Sequence, residues 1–163
     1  MAITKYLFRI ISGMWTVTSL ITYFLLAITC TILFALLEIQ IEGKDGWASK
    51  LPTWKIYFKN KNPNTPLTGY HTYTWLLLFL IPHIAFLFIP WSFEKELVVI
   101  SFYLFIIIFE DFLWFVFNPN FGIKKFKKEY IPWHPIWLGP LPIQYYFGFI
   151  LWGIIFWLTF IIK

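Results

Sequence analysis

Ionisable side chains are scarce in this sequence, and most familiar signatures of chemistry are missing from it. Only 13% of the residues are charged, histidine occurs 3 times and cysteine once. The single cysteine, Cys30, excludes an intrachain disulfide. Its place inside an apolar run marks it as a packing residue, and Ala27-Ile28-Thr29 ahead of it is a poor lipoprotein cleavage signal. No Gly-x-Gly-x-x-Gly, Gly-x-x-x-x-Gly-Lys-Ser/Thr or Gly-x-Ser-x-Gly occurs, which removes the dinucleotide, phosphate-loop and nucleophile-elbow readings. No His-x-x-His, Glu-x-x-His or His-Glu-x-x-His occurs either, and the histidines are too few for the pattern of membrane desaturases. Gly148 and Gly153 are spaced too widely for the Gly-x-x-x-Gly close-packing motif. No internal repeat and no inverted halves are visible.

What the sequence does have is apolar surface. It is 60% hydrophobic and 24% aromatic, with a mean hydropathy of +0.70. A soluble domain of this size cannot hide that much apolar area. The expected class is therefore all-α: a polytopic membrane protein with four transmembrane helices in one domain, 1–163. The stretch from Tyr6 to Ile41 would be roughly 54 Å long as one helix, too long for a hydrocarbon core of about 30 Å. Divided near Gly13, it gives an interfacial segment at 3–14, read as a retained anchor rather than a cleaved signal, and a span at about 16–40. The other spans are expected at about 72–92, 96–117 and 143–162. Pro82 should kink the second, and Asn118-Pro119-Asn120 should stop the third.

Two polar stretches, 42–71 and 118–142, are rich in Pro, Gly, Trp and Tyr. Disordered linkers lack aromatics, so ordered loops on one membrane face are expected. They carry nine of the basic residues: Lys44, Lys50, Lys55, Lys59, Lys61, Lys124, Lys125, Lys127 and Lys128. Lys5, Arg9, Lys95 and Lys163 fall on the other side. The lysine bias places the long loops in the cytoplasm and both termini outside.

The decisive polar feature is the pair Glu110-Asp111, embedded in the apolar run from Leu97 to Phe117. A carboxylate there costs about 2.5–3.5 kcal/mol on insertion scales, and adjacent buried carboxylates repel, so one should keep its proton. Consecutive helix positions differ by about 100°, so only one of the two faces fully inward. We expect that one to be Glu110, sharing a face with Tyr103, Ile106, Ile107, Trp114 and Phe117. Asp111 then sits nearer the flank, with a lysine of the second loop or a Trp indole as its donor. With the spans folded up and down, Glu38, Glu42, His71, Glu110, Asp111 and His134 gather at the loop side, and His83 lies apart.

Several readings follow. Glu38, His71, Glu110 and His134 are ligand types for a divalent transition metal such as Zn, Fe or Mn. Glu110, Asp111 and His134 are candidate acid–base groups. Lys124, Lys125, Lys127 and Lys128, with Trp133, suit binding of an anionic lipid headgroup. Trp47, Trp54, Trp133 and Trp137 read as interface anchors and, second, as walls of an amphiphile pocket. Together these point to a small membrane enzyme acting on a lipid or other amphiphile, metal-dependent in the first of these readings. The alternatives are a transporter or channel subunit handling ions or protons through Glu110 and His83, and a non-catalytic scaffold subunit of a membrane complex. Loop lysines pairing with the acids would make the cluster purely structural. Membrane lipids and a homo-oligomer or membrane complex are the expected partners; nucleic acid is not.

Overall fold

The computed structural model describes residues 15–59, 62–63 and 65–162. It is mostly helical. Helix α1 spans Val17–Glu42, α2 Gly69–His83, α3 Phe93–Phe117 and α4 Ile143–Ile161. A 3-10 turn, Ile84–Leu87, prolongs α2, and another, Ile123–Lys125, follows α3. With α2 taken through Leu87, four helices are long and apolar enough to cross a membrane. The expected segment at 3–14, including Lys5 and Arg9, lies outside the described residues, as do Lys61 and Lys163.

Local chemistry sets the helix ends. Thr16 and Ser19 form a reciprocal capping box at the start of α1, satisfying amides that have no intrahelical partner. Thr68 caps α2 through the amide of His71. Ser92 caps α3, and Glu94 and Glu96 in its first turn suit the positive end of the helix dipole. The second span departs from expectation at both ends. It begins at Gly69 because Thr68 supplies the cap, and its α-helix closes at His83 because Pro82 in the last turn cannot donate.

α3 is the central helix: it packs on α1, α4 and α2 and is the most buried of the four. Hydroxyl groups staple its surroundings. Tyr23 Oη on α1 meets Ser101 Oγ on α3 at 3.1 Å, and Trp15 Nε1 donates to Thr159 Oγ1 near the end of α4 at 2.7 Å. Gly148 does by itself what a paired glycine motif would do. A Cβ there would stand 2.9 Å from Ile108 Cγ1, so α4 approaches α3 too closely for any larger residue. Facing outward, Leu25, Leu33, Leu37, Leu77, Leu80, Ile150, Ile154 and Trp157 are exposed. Each would gain about 1.5–3 kcal/mol from leaving water, so these faces suit lipid.

The densest packing lies at one end. Ile39, Trp114, Phe115, Phe126, Ile131, Trp133 and Tyr145 form one buried cluster joining helix ends to the second loop. The two loops meet. Asn62 Nδ2 donates to Pro132 O at 2.6 Å, and Asn118 Nδ2 to Gly43 O at 2.8 Å. Each loop also holds a small antiparallel hairpin that an all-α expectation omits. Lys55–Ile56 (β1) pairs with Leu67–Thr68 (β2), and Trp137–Leu138 (β3) with Leu141–Pro142 (β4). Strands this short leave no alternating pattern to read. Gly46 has φ 63°, and a Cβ there would lie 2.9 Å from Trp133 Cη2 and 3.3 Å from Trp114 Cη2. The first loop thus presses its backbone onto the aromatic wall of the site.

Candidate functional site

Where the loops close over the helix ends they leave a cavity of about 730 Å³, a size typical of small-molecule sites. Helical spacing decides what faces it. Glu38 and Glu42 are one turn apart on α1, as are His71 and Trp75 on α2 and Glu110 and Trp114 on α3; all six line the cavity. Trp47, Trp133 and His134 enter from the loops, and Gln144 and Tyr145 from the start of α4.

The packing of α1 on α3 brings Glu38 and Glu110 together, each 6% exposed, with their carboxyl groups in hydrogen-bonding contact. Two carboxyl groups in contact need a proton or a cation between them. Glu38 Oε1 also accepts from Tyr70 Oη at 3.1 Å. Among the described residues Glu110 Oε1 is buried with no donor to it from outside the carboxyl pair, and Trp114 Nε1 one turn further on is buried with no acceptor. Leaving such an atom unsatisfied costs about 1–3 kcal/mol.

Beside this pair stands a second group. His71 Nε2 is 3.4 Å from Glu42 Oε1, which also accepts the Ala48 amide. Its Nδ1 lies 2.8 Å from Thr68 Oγ1, the same oxygen that accepts the His71 amide at 3.1 Å. Thr68 Oγ1 thus accepts from the amide and also pairs with Nδ1 of the ring, while Nε2 faces Glu42. The ring lies between Trp47, at a centroid distance of 4.7 Å, and Trp75, at 5.3 Å.

The third group centres on Asp111. Its Oδ2 accepts from Tyr145 Oη and lies 3.1 Å from His134 Nε2. Gln144 Nε2 is 3.2 Å from His134 Nδ1. With that amide nitrogen donating, the His134 hydrogen is on Nε2 and points at Asp111. The His134 side chain is 8% exposed and that of Asp111 34%.

The expected site residues separate on this geometry. Glu38, His71, Glu110 and His134 all reach the cavity, but they do not form a ligand shell. Both nitrogens of each imidazole already have partners, Thr68 and Glu42 for His71, Gln144 and Asp111 for His134. Among the described residues, no group of three or more His, Cys, Asp or Glu side chains is placed to hold a metal ion. Lys124, Lys125, Lys127 and Lys128 are exposed and are not among the cavity's lining residues, whereas Trp133 is. Lys125 Nζ donates instead to Asn120 O at 2.6 Å. The donors to Asp111 are not a lysine or an indole, as expected, but Tyr145 and His134. The ion pairs among the described residues all join an imidazole to a carboxylate, so none of the described loop lysines is paired with the cluster. Trp47 and Trp133 are cavity walls, while Trp54 is exposed.

His83 sits elsewhere. Its Nε2 meets Glu96 Oε1 at 2.9 Å and its Nδ1 meets Phe79 O at 2.7 Å, and Trp91 Nε1 donates to Glu96 Oε2 at 2.9 Å. Glu96 precedes Glu110 by about 21 Å along α3, so His83 and Glu110 belong to opposite ends of the bundle. Between them, Tyr23 and Ser101 pair with each other. Sequence reasoning missed Thr68, Tyr70, Gln144 and Tyr145. The available signal was position: each polar pair stands at the first turn of an apolar helix, where a side chain reaches the loop end of its neighbours. No known protein family, curated protein or solved structure matches this chain.

Proposed function

We propose that this chain is a small integral-membrane enzyme that performs acid–base chemistry on the polar head of an amphiphile. The observation that carries this reading is Glu110: a carboxyl group buried in the cavity wall, in contact with Glu38, with one oxygen left without a partner. Such a group gives or takes a proton readily when a bound molecule supplies the missing partner. Glu38, held by Tyr70, positions it and shares a proton with it. Asp111 and His134, fixed by Tyr145 and Gln144, form a second proton-handling pair in the same cavity. The apolar outer faces fit insertion in a bilayer, and the aromatic walls suit the neck of an amphiphile entering from the interface. The lysine bias puts this end of the bundle in the cytoplasm. Lysines 124, 125, 127 and 128 then lie over the membrane surface, drawn to anionic headgroups rather than placed in the cavity.

The test compares the lipids and other amphiphiles of membranes expressing the wild-type chain or Glu110→Gln, by mass spectrometry. The amide keeps the shape of the side chain and removes its acid–base function. A product should accumulate with the wild type and fall by at least about a hundredfold with the variant, at equal expression. Identical profiles from the two membranes would remove Glu110 from any catalytic role.

A further inference from the structure

The chemistry of the cavity also selects the charge of what it takes. Glu38, Glu42, Glu110 and Asp111 all line it, no lysine or arginine is among its lining residues within the described part of the chain, and its imidazoles are His71 and His134. Both rings are engaged by carboxylates. The independent pointer to a ligand is the buried, unpartnered Glu110 Oε1, on a residue only 6% exposed. An acceptor of this kind calls for a donor. We infer that the cavity binds the protonated primary or secondary amine of a single-chain amphiphile, with an ammonium N–H donating to Glu110.

Three features support a cation over the alternatives. An anionic head would face four carboxylates with no basic side chain among the described lining residues, a juxtaposition of like charges. A neutral alcohol would satisfy one acceptor but leave the Glu38–Glu110 contact dependent on a shared proton. An ammonium does both tasks: it donates hydrogen bonds and supplies the positive charge that the facing carboxyl groups need. The indoles of Trp47, Trp75 and Trp133 line the cavity, and aromatic rings attract cations. A quaternary ammonium would gain from the rings but has no N–H for Glu110, so it should bind less well than a primary amine. The exposed lysines of the second loop lie outside this selection.

This inference rests on the proposed site but not on turnover. Its test is direct binding to the full-length protein purified in a neutral maltoside detergent, read by tryptophan emission. The probes are dodecylammonium, dodecyltrimethylammonium, dodecanol and dodecanoate, each below its micellar concentration. Dodecylammonium should bind saturably, at least tenfold more tightly than the trimethyl analogue and than dodecanol, with dodecanoate weakest. Glu110→Gln should weaken dodecylammonium at least tenfold and leave dodecanol nearly unchanged. The wild-type series stands even if the variant fails to fold. Dodecanoate or dodecanol binding as tightly as the amine overturns the inference, as does equal amine binding by wild type and a folded Glu110→Gln protein. Amine selectivity with no lipid product in the membrane comparison would keep this inference and reject the enzyme. A lipid product without amine selectivity would do the reverse.

Discussion

Asn118 offers the sharpest test of how the site is held together. It is 1% exposed at the end of α3. Its Nδ2 donates to Gly43 O, just past α1, at 2.8 Å, and its Oδ1 accepts the Asn120 amide at 3.0 Å. One side chain therefore ties the helices bearing Glu38 and Glu110. Asn118→Ala removes both bonds, each worth about 0.5–1.5 kcal/mol net, and leaves the Gly43 carbonyl short of a donor at about 1–3 kcal/mol. Allowing for partial rehydration, the loss should be about 2–4 kcal/mol. For a chain of this size that lowers Tm by roughly 5–15 °C. Asn118→Asp should be at least as damaging, because it retains the acceptor for Asn120 but turns an oxygen toward the Gly43 carbonyl and buries a charge. Asn120→Ala, at an exposed position, should change stability by no more than about 0.5 kcal/mol. The assay is thermal unfolding in mild detergent followed by tryptophan emission. If Asn118→Asp unfolds within about 1 °C of the wild type, the amide does not donate to Gly43 and the tie between the helix ends is refuted.

Thr68→Val removes the cap of α2 together with the partner of His71 Nδ1, and should cost about 1–2 kcal/mol; Thr68→Ser should recover most of it in the same unfolding assay. Cys30 is exposed midway along α1. In sealed vesicles it should resist a charged maleimide and react only after denaturation, since a charged reagent does not enter hydrocarbon; rapid labelling of intact vesicles would place it in water. In a Cys30→Ser background, Lys59→Cys and Lys127→Cys should label from one side of the vesicle and Lys95→Cys from the other. Labelling of all three from one side would overturn the up-and-down arrangement.

The long apolar runs made the helices legible, because a residue-by-residue count of hydropathy needs no knowledge of partners. The inward face of α3 was legible for the same local reason: Ile106, Glu110 and Trp114 recur at four-residue steps and are buried. Phe117, assigned to that face, is 40% exposed, since it is the last residue of α3 and the chain turns away at Asn118. The partners of Asp111 were not legible. Tyr145 is 34 positions away, and no local pattern announces a hydrogen bond made across a loop. The lysine-rich segment looked like the obvious source of donors by charge alone. The structure instead uses Tyr145 and His134. The hairpins and the close approach at Gly148 escaped for a related reason: both depend on what a second segment brings, not on the segment itself.

The shared hydroxyl of Thr68 and the clasp made by Asn118 have a consequence for the order of assembly. Apolar helices can each enter a bilayer as they emerge from the ribosome, since each satisfies its own backbone. The cavity cannot form so early. Its wall runs from Glu38 in the first helix to Tyr145 and Leu151 in the last. The first three helices alone leave Asp111 without the hydroxyl of Tyr145 and His134 without the amide of Gln144. During synthesis Asp111 is therefore made before its lasting partners exist, and in a bilayer it would have to pass that interval protonated or hydrated. Maturation of the site is thereby coupled to the arrival of the final helix, whose close fit at Gly148 against Ile108 seals the assembly that the earlier helices can only prepare.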